Sequence, residues 1–334
     1  MGLWAQLTLV INIMKEFIIG PNDAGQRLDR FVAKAAPLLP ASLAQKYIRL
    51  KRIKLGGKGA DRARKLARGD VVSMYVNDEF FETPTAGNAY LKIGDPALDI
   101  VYEDANILLL NKPAGMLCHS DGGDFASLIS RVQAYLYQGG EWRPLEENAF
   151  APALCNRIDR NTSGVVIAAK NAEALRILND KIKNRETDKY YLACAHGVPD
   201  PPSGLLEGYI FKDSVKNRVY VDSSRRPGAK TAVTEYRTLA SGNGLSLLEC
   251  RLLTGRTHQI RAQLAAAGHP LLGDGKYGDG RLNKPYGEHR QALCSHKIVF
   301  AFKTDAGSLS YLKDRAFALS DAPFVTKYFP GVKI

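Results

Sequence analysis

The apolar positions alternate between helical and extended patterns along the chain. Phe17-Ile18-Ile19 reads as a short strand before the turn Gly20-Pro21-Asn22-Asp23. The stretch opening at Gly25 puts Leu28, Phe31, Val32 and Ala35 on one helical face until Pro37 and Pro40 stop it. Ser42 is placed to cap a second helix running to about Leu50, with Leu43, Tyr47 and Leu50 apolar and Lys46, Arg49, Lys51 and Arg52 on the solvent side. Ile53-Lys54-Leu55, the turn Gly56-Gly57-Lys58-Gly59 and the run Val71 to Val76 then read as a hairpin. Residues 78–97 mix acids, Pro, Gly and Thr and read as a linker. Beyond it the chain is strand-rich. Ile100 to Leu110 reads as two strands around an acidic turn, and Val219-Tyr220-Val221, Ala232 to Tyr236 and Leu245 to Cys250 alternate like antiparallel strands. Helices are predicted over 125–137, over 171–184 (Ala172, Leu175, Leu178 and Ile182 in phase), and from a Thr257 cap to Ala267 with Gly268 as the stop. The scarcity of β-α-β units argues against a doubly wound parallel sheet. The first thirteen residues are mostly apolar but too short for a bilayer-spanning helix and lack a basic leader region, so 1–14 is expected to be a disordered extension of a cytoplasmic protein.

Composition changes this picture in one respect. At 334 residues, 45% hydrophobic and 24% charged, the chain has the make-up of an ordinary globular protein with room for two domains. Its net charge of +12, however, favours a polyanionic partner. Residues 15–77 carry 14 Lys+Arg against 5 Asp+Glu, and 46–68 carry ten cations and one acid. Such a stripe can follow a phosphate backbone with little sequence choice; the bland reading is a solubilising face. The five cysteines are scattered with no C-x-x-C pair, which reads as reduced thiols rather than a disulfide framework or a zinc site. No histidine spacing suggests a metal, and there is no dinucleotide-binding loop, so no metal and no cofactor are expected.

The densest candidate chemistry is Asn156-Arg157-Ile158-Asp159-Arg160-Asn161-Thr162-Ser163-Gly164, which runs straight into Val165-Val166-Ile167-Ala168-Ala169. A carboxylate between two arginines stays ionised and can serve as a nucleophile or an electrostatic stabiliser; otherwise the cluster is a solvated surface turn. This stretch resembles the R-[IL]-D-x-x-T-S-G signature of the RluA family of pseudouridine synthases, whose catalytic aspartate aligns with Asp159. Four further blocks follow the family's order over roughly residues 98–302. Leu110 to Met116 resembles the N-K-P-x-G element, and Lys189 to Gly197 resembles the K-x-Y-x-A-x-x-x-G strand whose active-site tyrosine falls at Tyr191. Thr254 to Arg261 resembles T-G-R-x-H-Q-I-R, whose last arginine pairs with the catalytic acid; Gly268 to Asp274 with Lys276-Tyr277-Gly278 resembles G-H-P-[IL]-L-G-D and K-Y-G. Histidines common in the family are replaced or displaced at Asn156, Gln263 and Cys294-Ser295-His296. The amino-terminal part resembles the S4 RNA-binding module, from Arg27-Leu28-Asp29-Arg30-Phe31 to Gly69-Asp70-Val71-Val72, with Gly56-Gly57 in place of the usual Asn-Gly.

The resemblance implies an α+β fold: an S4-like module over 15–77, then a catalytic domain over 98–334 whose mixed, largely antiparallel central sheet is flanked by helices. It implies an enzyme that isomerises uridine in RNA to pseudouridine without a cofactor and acts as a monomer. Large-subunit (23S) ribosomal RNA or a pre-ribosomal particle is the favoured partner, and transfer RNA is the alternative. Asp159 is the expected catalytic acid, Arg261 its orienting partner, and Tyr191 the residue that stacks on the base and relays the C5 proton. Arg157, Arg160, Thr162, Lys112, Arg256, His258 and Gln259 are expected at the RNA or supporting the site, and Lys46, Arg49, Lys51 and Arg52 on the module's RNA face. Two other classes stay open. An inactive RNA-binding assembly factor would not need Asp159, and a glycosidase would need a second acid, which no residue near Asp159 supplies.

Overall fold

Strand alternation and helical phase build two separate sheets in the computed structural model, which describes residues 14–37, 39–76, 80–81, 89–120, 126–144, 150–213 and 215–334. The expected N-terminal extension lies almost wholly outside these residues, as do parts of the expected linker and Phe125. The chain divides into two compact units: one holds the chain up to Lys92 together with Leu136–Ala151, the other Ile93–Tyr135 with Pro152–Ile334.

In the first unit, β1 (Met14–Ile18), β2 (Ile53–Leu55) and β3 (Val71–Tyr75) form an antiparallel sheet in the order β1-β3-β2. Helices α1 (Leu28–Ala35) and α2 (Ala41–Arg49) belong to the same unit. Its core joins Leu28, Phe31 and Val32 of α1 to Ile48, Ile53, Val72 and Met74. Lys46, Arg49, Lys51 and Arg52 are all exposed. The Ser42 cap is not formed. Helix α2 begins two residues earlier than a Ser42 cap implies, at Ala41, with Pro40 at the N-cap and its carbonyl accepting the first helical bond from the Ala44 amide at 2.9 Å. The expected linker is also less solvated than its composition suggests. Phe81 is buried and stacks on Phe17 with ring centroids 6.0 Å apart, and Tyr90 packs edge-on to Trp142 at 4.9 Å. The Tyr90–Trp142 contact ties the segment around Trp142 to the first unit, a long-range pairing that no local pattern announces.

The second unit carries β4 (Ile100–Glu103), β5 (Ile107–Lys112), β6 (Ala153–Leu154), β7 (Ser163–Ala169), β8 (Asp188–His196), β9 (Ser203–Asp213), β10 (Arg218–Asp222), β11 (Lys230–Gly242), β12 (Leu245–Leu252), β13 (Leu293–Val299) and β14 (Ala316–Ala318). They make one sheet in the order β10-β9-β11-β12-β8-β13-β7-β5-β4, with β14 on β13 and β6 on β7. Among the described residues only the β13–β7 pair runs parallel, so the expected mixed, largely antiparallel sheet is present. The expected helices are α3 (Leu128–Gln138), α4 (Ala172–Lys183) and α5 (Gln259–Ala266). Asn171 caps α4 by accepting from the Ala174 amide at 2.9 Å. Helix α4 buries Ala174 and Leu178 against Val165, Ile167 and Phe300.

The parallel contact between β7 and β13 depends on Gly164. Its φ is +113°, and a Cβ there would lie 2.3 Å from the Ser295 carbonyl oxygen. Gly164→Ala is expected to destabilise the protein by at least about 1–3 kcal/mol, from strain at that φ with the clash added, measured by urea unfolding.

Candidate active site

The loop between β6 and β7 carries the Arg-Ile-Asp-Arg cluster, and its ends are tied to the sheet before any catalytic question arises. The Cys155 amide donates to the Ile167 carbonyl at 2.8 Å, and Asn156 Oδ1 accepts from the Ile167 amide at 2.8 Å. Asn156 thus serves as an acceptor that ties the loop to β7. Farther along, the Thr162 amide donates to the Asp159 carbonyl at 3.1 Å, closing a turn that presents the Asp159 side chain.

Arg261 meets that side chain from α5, 102 residues downstream. Its Nη1 donates to Asp159 Oδ2 at 2.8 Å, while Nε and Nη2 form a fork with Asp274 Oδ2 and Oδ1 at 2.7 and 2.9 Å. Asp274 is fully buried, and its Oδ1 also accepts from the amides of Lys276 at 2.8 Å and Tyr277 at 3.1 Å. Burial pushes the Asp274 carboxyl up, but Arg261 and the two amides outweigh it and hold it below its ordinary 3.8. Burial likewise opposes the Arg261 charge, yet the two carboxylates raise its pKa further. The planar fork therefore fixes the guanidinium on Asp274 and leaves one nitrogen aimed at Asp159. Among the described residues no hydrogen bond reaches Asp159 Oδ1, and 24% of the Asp159 side chain is exposed at the cavity it lines. Gly273 makes the clamp's approach feasible: its φ is +74°, and a Cβ there would sit 2.2 Å from the Arg290 carbonyl oxygen.

His258 supplies the opposite wall. Sitting at the N-cap of α5 with φ +53°, it makes no side-chain cap, and the expected Thr257 cap is absent too; the turn ahead of α5 is held by Gln259, whose backbone amide donates to the Arg256 carbonyl at 3.2 Å and whose Oε1 accepts from the Arg256 amide at 3.0 Å. The ring's Nδ1 lies 2.8 Å from the Tyr277 hydroxyl, which in turn accepts from the Val219 amide at 2.9 Å. These partners are met best if Tyr277 donates to Nδ1, which puts the ring proton on Nε2, 3.9 Å from Asp159 Oδ2. Burial lowers the His258 pKa, with Asp159 opposing and Arg261 adding to the shift, so the ring is neutral at pH 7.

Asp159, Arg261 and His258 line a cavity of about 320 Å³. Tyr191 forms part of its wall from β8, opposite Cys250 of β12 and Ser295 of β13, and is 6% exposed. Burial raises the Tyr191 pKa well above its ordinary value, with Ser295 opposing and Asp159 adding to the rise, so its hydroxyl keeps its proton. Lys189 and Cys155 also line the cavity; burial pushes the Cys155 thiol up to about 12, which leaves it a poor nucleophile. Among the described residues no cluster of three or more His, Cys, Asp or Glu could hold a metal ion, and no helix is long and apolar enough to cross a membrane.

The family model for RNA pseudouridylate synthase matches residues 106–266. An uncharacterized RNA pseudouridine synthase of Mycoplasma genitalium is 32% identical over 298 residues, covering 87% of this chain and 90% of that protein. The ribosomal large subunit pseudouridine synthase C of Vibrio cholerae serotype O1 is 32% identical over 297 residues, with the same coverages of 87% and 90%. The chain belongs to the RluA family of RNA pseudouridine synthases. Among solved structures, human RNA pseudouridylate synthase domain containing 4 shares the fold at a TM-score of 0.52 and 22% identity, covering 67% of this chain and 89% of that one.

In this pseudouridine synthase Asp159, Tyr191, Arg261, Arg157, Arg256 and His258 all line the one cavity. Arg256 donates from Nε to the Thr231 carbonyl at 3.0 Å, and Arg160 is exposed with Nε on the Gly115 carbonyl at 3.0 Å. Of the other residues expected at the RNA or supporting the site, Thr162 and Gln259 also line this cavity as supports, and Lys112 does not reach it. Lys112 is fully buried, with its ammonium donating to the carbonyls of Pro113, Met116 and Arg160 at 2.8–3.0 Å, so it ties the Asn-Lys-Pro loop to the Asp159 loop. Burial lowers its pKa to about 8, with Cys118 and Asp159 opposing. Gln259 is buried and spends both ends of its amide on Thr254, Arg256, Val233 and Thr234. Thr162 is buried, accepting from Gln291 Nε2 at 3.2 Å. All three were polar residues in a motif, and only packing shows that they face inward. Conversely Asp274 and Tyr277 belonged to motifs read without a role, and the structure puts both against Arg261 or His258.

The clamp has a pH signature. A carboxylate held below its unfolded value adds stability that is fully present above about pH 3.8 and is lost as pH falls through the lower native value. The stability advantage of the native protein over Asp274→Asn is therefore expected to be constant near neutrality and to shrink below pH 3.8, as read by urea unfolding at stepped pH.

Proposed function

We propose that this protein converts specific uridines of large-subunit ribosomal RNA to pseudouridine, with Asp159 as the carboxylate that acts on a nucleotide flipped into the cavity. The observation that carries the reading is the placement of Asp159: one oxygen is held at 2.8 Å by a guanidinium that is itself clamped on Asp274, and the partly exposed side chain lines the cavity. Breaking the N–C1′ bond and rejoining the base through C5 needs an anionic group that does not wander, and the clamp supplies one. Tyr191, neutral and buried in the cavity wall, is suited to stack on the uracil and to pass on the C5 proton. Flipping costs a few kcal/mol, less at an unpaired base, so loops and single strands of the RNA are the favoured targets. The exposed Lys46, Arg49, Lys51 and Arg52 of the first unit, with its S4-like sequence pattern, supply a second, sequence-independent hold on the phosphate backbone.

Support for the ribosomal substrate comes from the Vibrio cholerae relative, which is named for the ribosomal large subunit. The test is a pseudouridine map of ribosomal and transfer RNA, by carbodiimide modification and reverse transcription, in cells deleted for the gene. Loss of sites in large-subunit RNA, restored by the native protein but not by Asp159→Asn, is the expected result. Loss confined to transfer RNA would move the substrate there.

A further inference from the structure

A second groove, of about 580 Å³, opens off the catalytic cavity and shares Lys189 and Arg256 with it. Its other walls bring Lys183 and Arg185 from the end of α4, Arg251 from β12, and Lys303. Arg251 is committed to Asp188 at 3.0 Å and Glu235 at 3.5 Å. Lys183, Arg185 and Lys303 are exposed and form no ion pair among the described residues.

These three cations stand on a rigid base. The buried Lys181 ammonium donates to Glu186 at 3.0 Å and to the Thr304 carbonyl at 2.8 Å, and Glu186 Oε2 accepts from the amides of Lys303 and Thr304 at 2.8 and 3.0 Å. This pair locks the turn after α4 to the segment bearing Lys303. The turn itself is a Schellman motif: the Glu186 amide donates to the Lys181 carbonyl at 2.8 Å and the Arg185 amide to the Ile182 carbonyl at 3.2 Å. Its left-handed position, which glycine fills in most such turns, holds Arg185 at φ +60°. Local folding gains nothing from an arginine there; the locked turn holds the strained φ and sets the Arg185 side chain on the groove wall.

We propose that this groove is the track along which the single RNA strand leaves the catalytic cavity, its phosphates paired with Lys183, Arg185 and Lys303. The inference rests on the pseudouridine synthase reading for the cavity and adds the path of the flanking strand. A strand entering the cavity with one flipped nucleotide must exit beside it, and unpaired cations on a continuous wall suit phosphodiesters better than a protein surface, which would bring acids in a fixed pattern.

The test compares the native protein with Arg185→Gly and with the triple variant Lys183→Gln/Arg185→Gly/Lys303→Gln. Arg185→Gly removes the cation while relieving the φ, so its thermal midpoint stays level or rises, and a weaker RNA affinity cannot be blamed on misfolding. Affinity for a fluorescein-labelled single-stranded RNA is measured by anisotropy from about 50 to about 300 mM KCl, and single-turnover pseudouridine formation is measured at saturating RNA. At about 0.7 per contact, the triple variant should lower the slope of log affinity against log salt by about 2. The single-turnover rate should change by less than about twofold, since phosphate contacts hold the strand without touching the reacting atoms. Unchanged affinity and slope in both variants would overturn the track. Absence of turnover in the native protein would instead strike the synthase reading, and the salt slopes would still decide the groove.

Discussion

Asp159→Asn protein is expected to fold and bind RNA like the native chain while its single-turnover rate falls by more than about 10³-fold. The amide matches the carboxylate in shape, and its oxygen can still accept from Arg261 Nη1, so the loop keeps its anchor. What disappears is the negative charge beside the flipped nucleotide. Because Arg261 remains forked on Asp274, no buried charge is orphaned, and the loss of stability should stay within about 1 kcal/mol. Anisotropy, urea unfolding and single-turnover rates on one preparation separate the three quantities. A variant with activity within tenfold of the native rate would remove Asp159 from the chemistry.

The second large effect concerns Arg261. Replacing it with leucine leaves the Asp274 carboxylate fully buried with only backbone amides for company, and the expected cost is about 3–5 kcal/mol of stability together with loss of turnover. Arg261→Lys should rescue little, since one ammonium cannot fork on Asp274 and also reach Asp159. The double variant Arg261→Leu/Asp274→Leu removes both members of the buried pair. It should recover much of the stability by urea unfolding and none of the activity, which separates the clamp's share in folding from its share in orienting Asp159. Recovery of turnover in the double variant would show that Asp159 needs no orienting partner.

The residues most clearly marked in the sequence were those whose chemistry is local to a motif. Asp159 lies between arginines, Tyr191 lies in a strand, and Arg261 follows the Thr-Gly-Arg turn; the cavity that gathers them comes from pairing strands far apart in sequence. The sheet was legible because period-two alternation survives in β11, even though β12 beside it is buried on both faces, and α4 because its apolar phase and Asn171 cap agree. Two caps were misplaced for the same reason. Ser42 and Thr257 have capping side chains, but the helices start elsewhere: α2 opens ahead of Ser42 with Pro40 at its N-cap, and α5 opens one residue after Thr257's place with His258 at its N-cap. Burial was the least legible quantity. Lys112 looks from the sequence like a contact to the RNA backbone and is instead fully buried, since a polar residue beside an active-site motif carries no mark of which way it will face. Asp274 was invisible as a partner because its 13-residue separation from Arg261 matches no helical or hairpin spacing; the fork is closed by the loop after α5.

The most direct test of the central claim is tritium release from uridine labelled at C5 in an unmodified large-subunit rRNA transcript. Forming the C1′–C5 bond replaces the C5 hydrogen, so the native protein should release tritium in step with pseudouridine and liberate no free uracil. Absence of release from that transcript, from transfer RNA and from precursor ribosomal particles, by protein that is folded and binds RNA, would contradict the account.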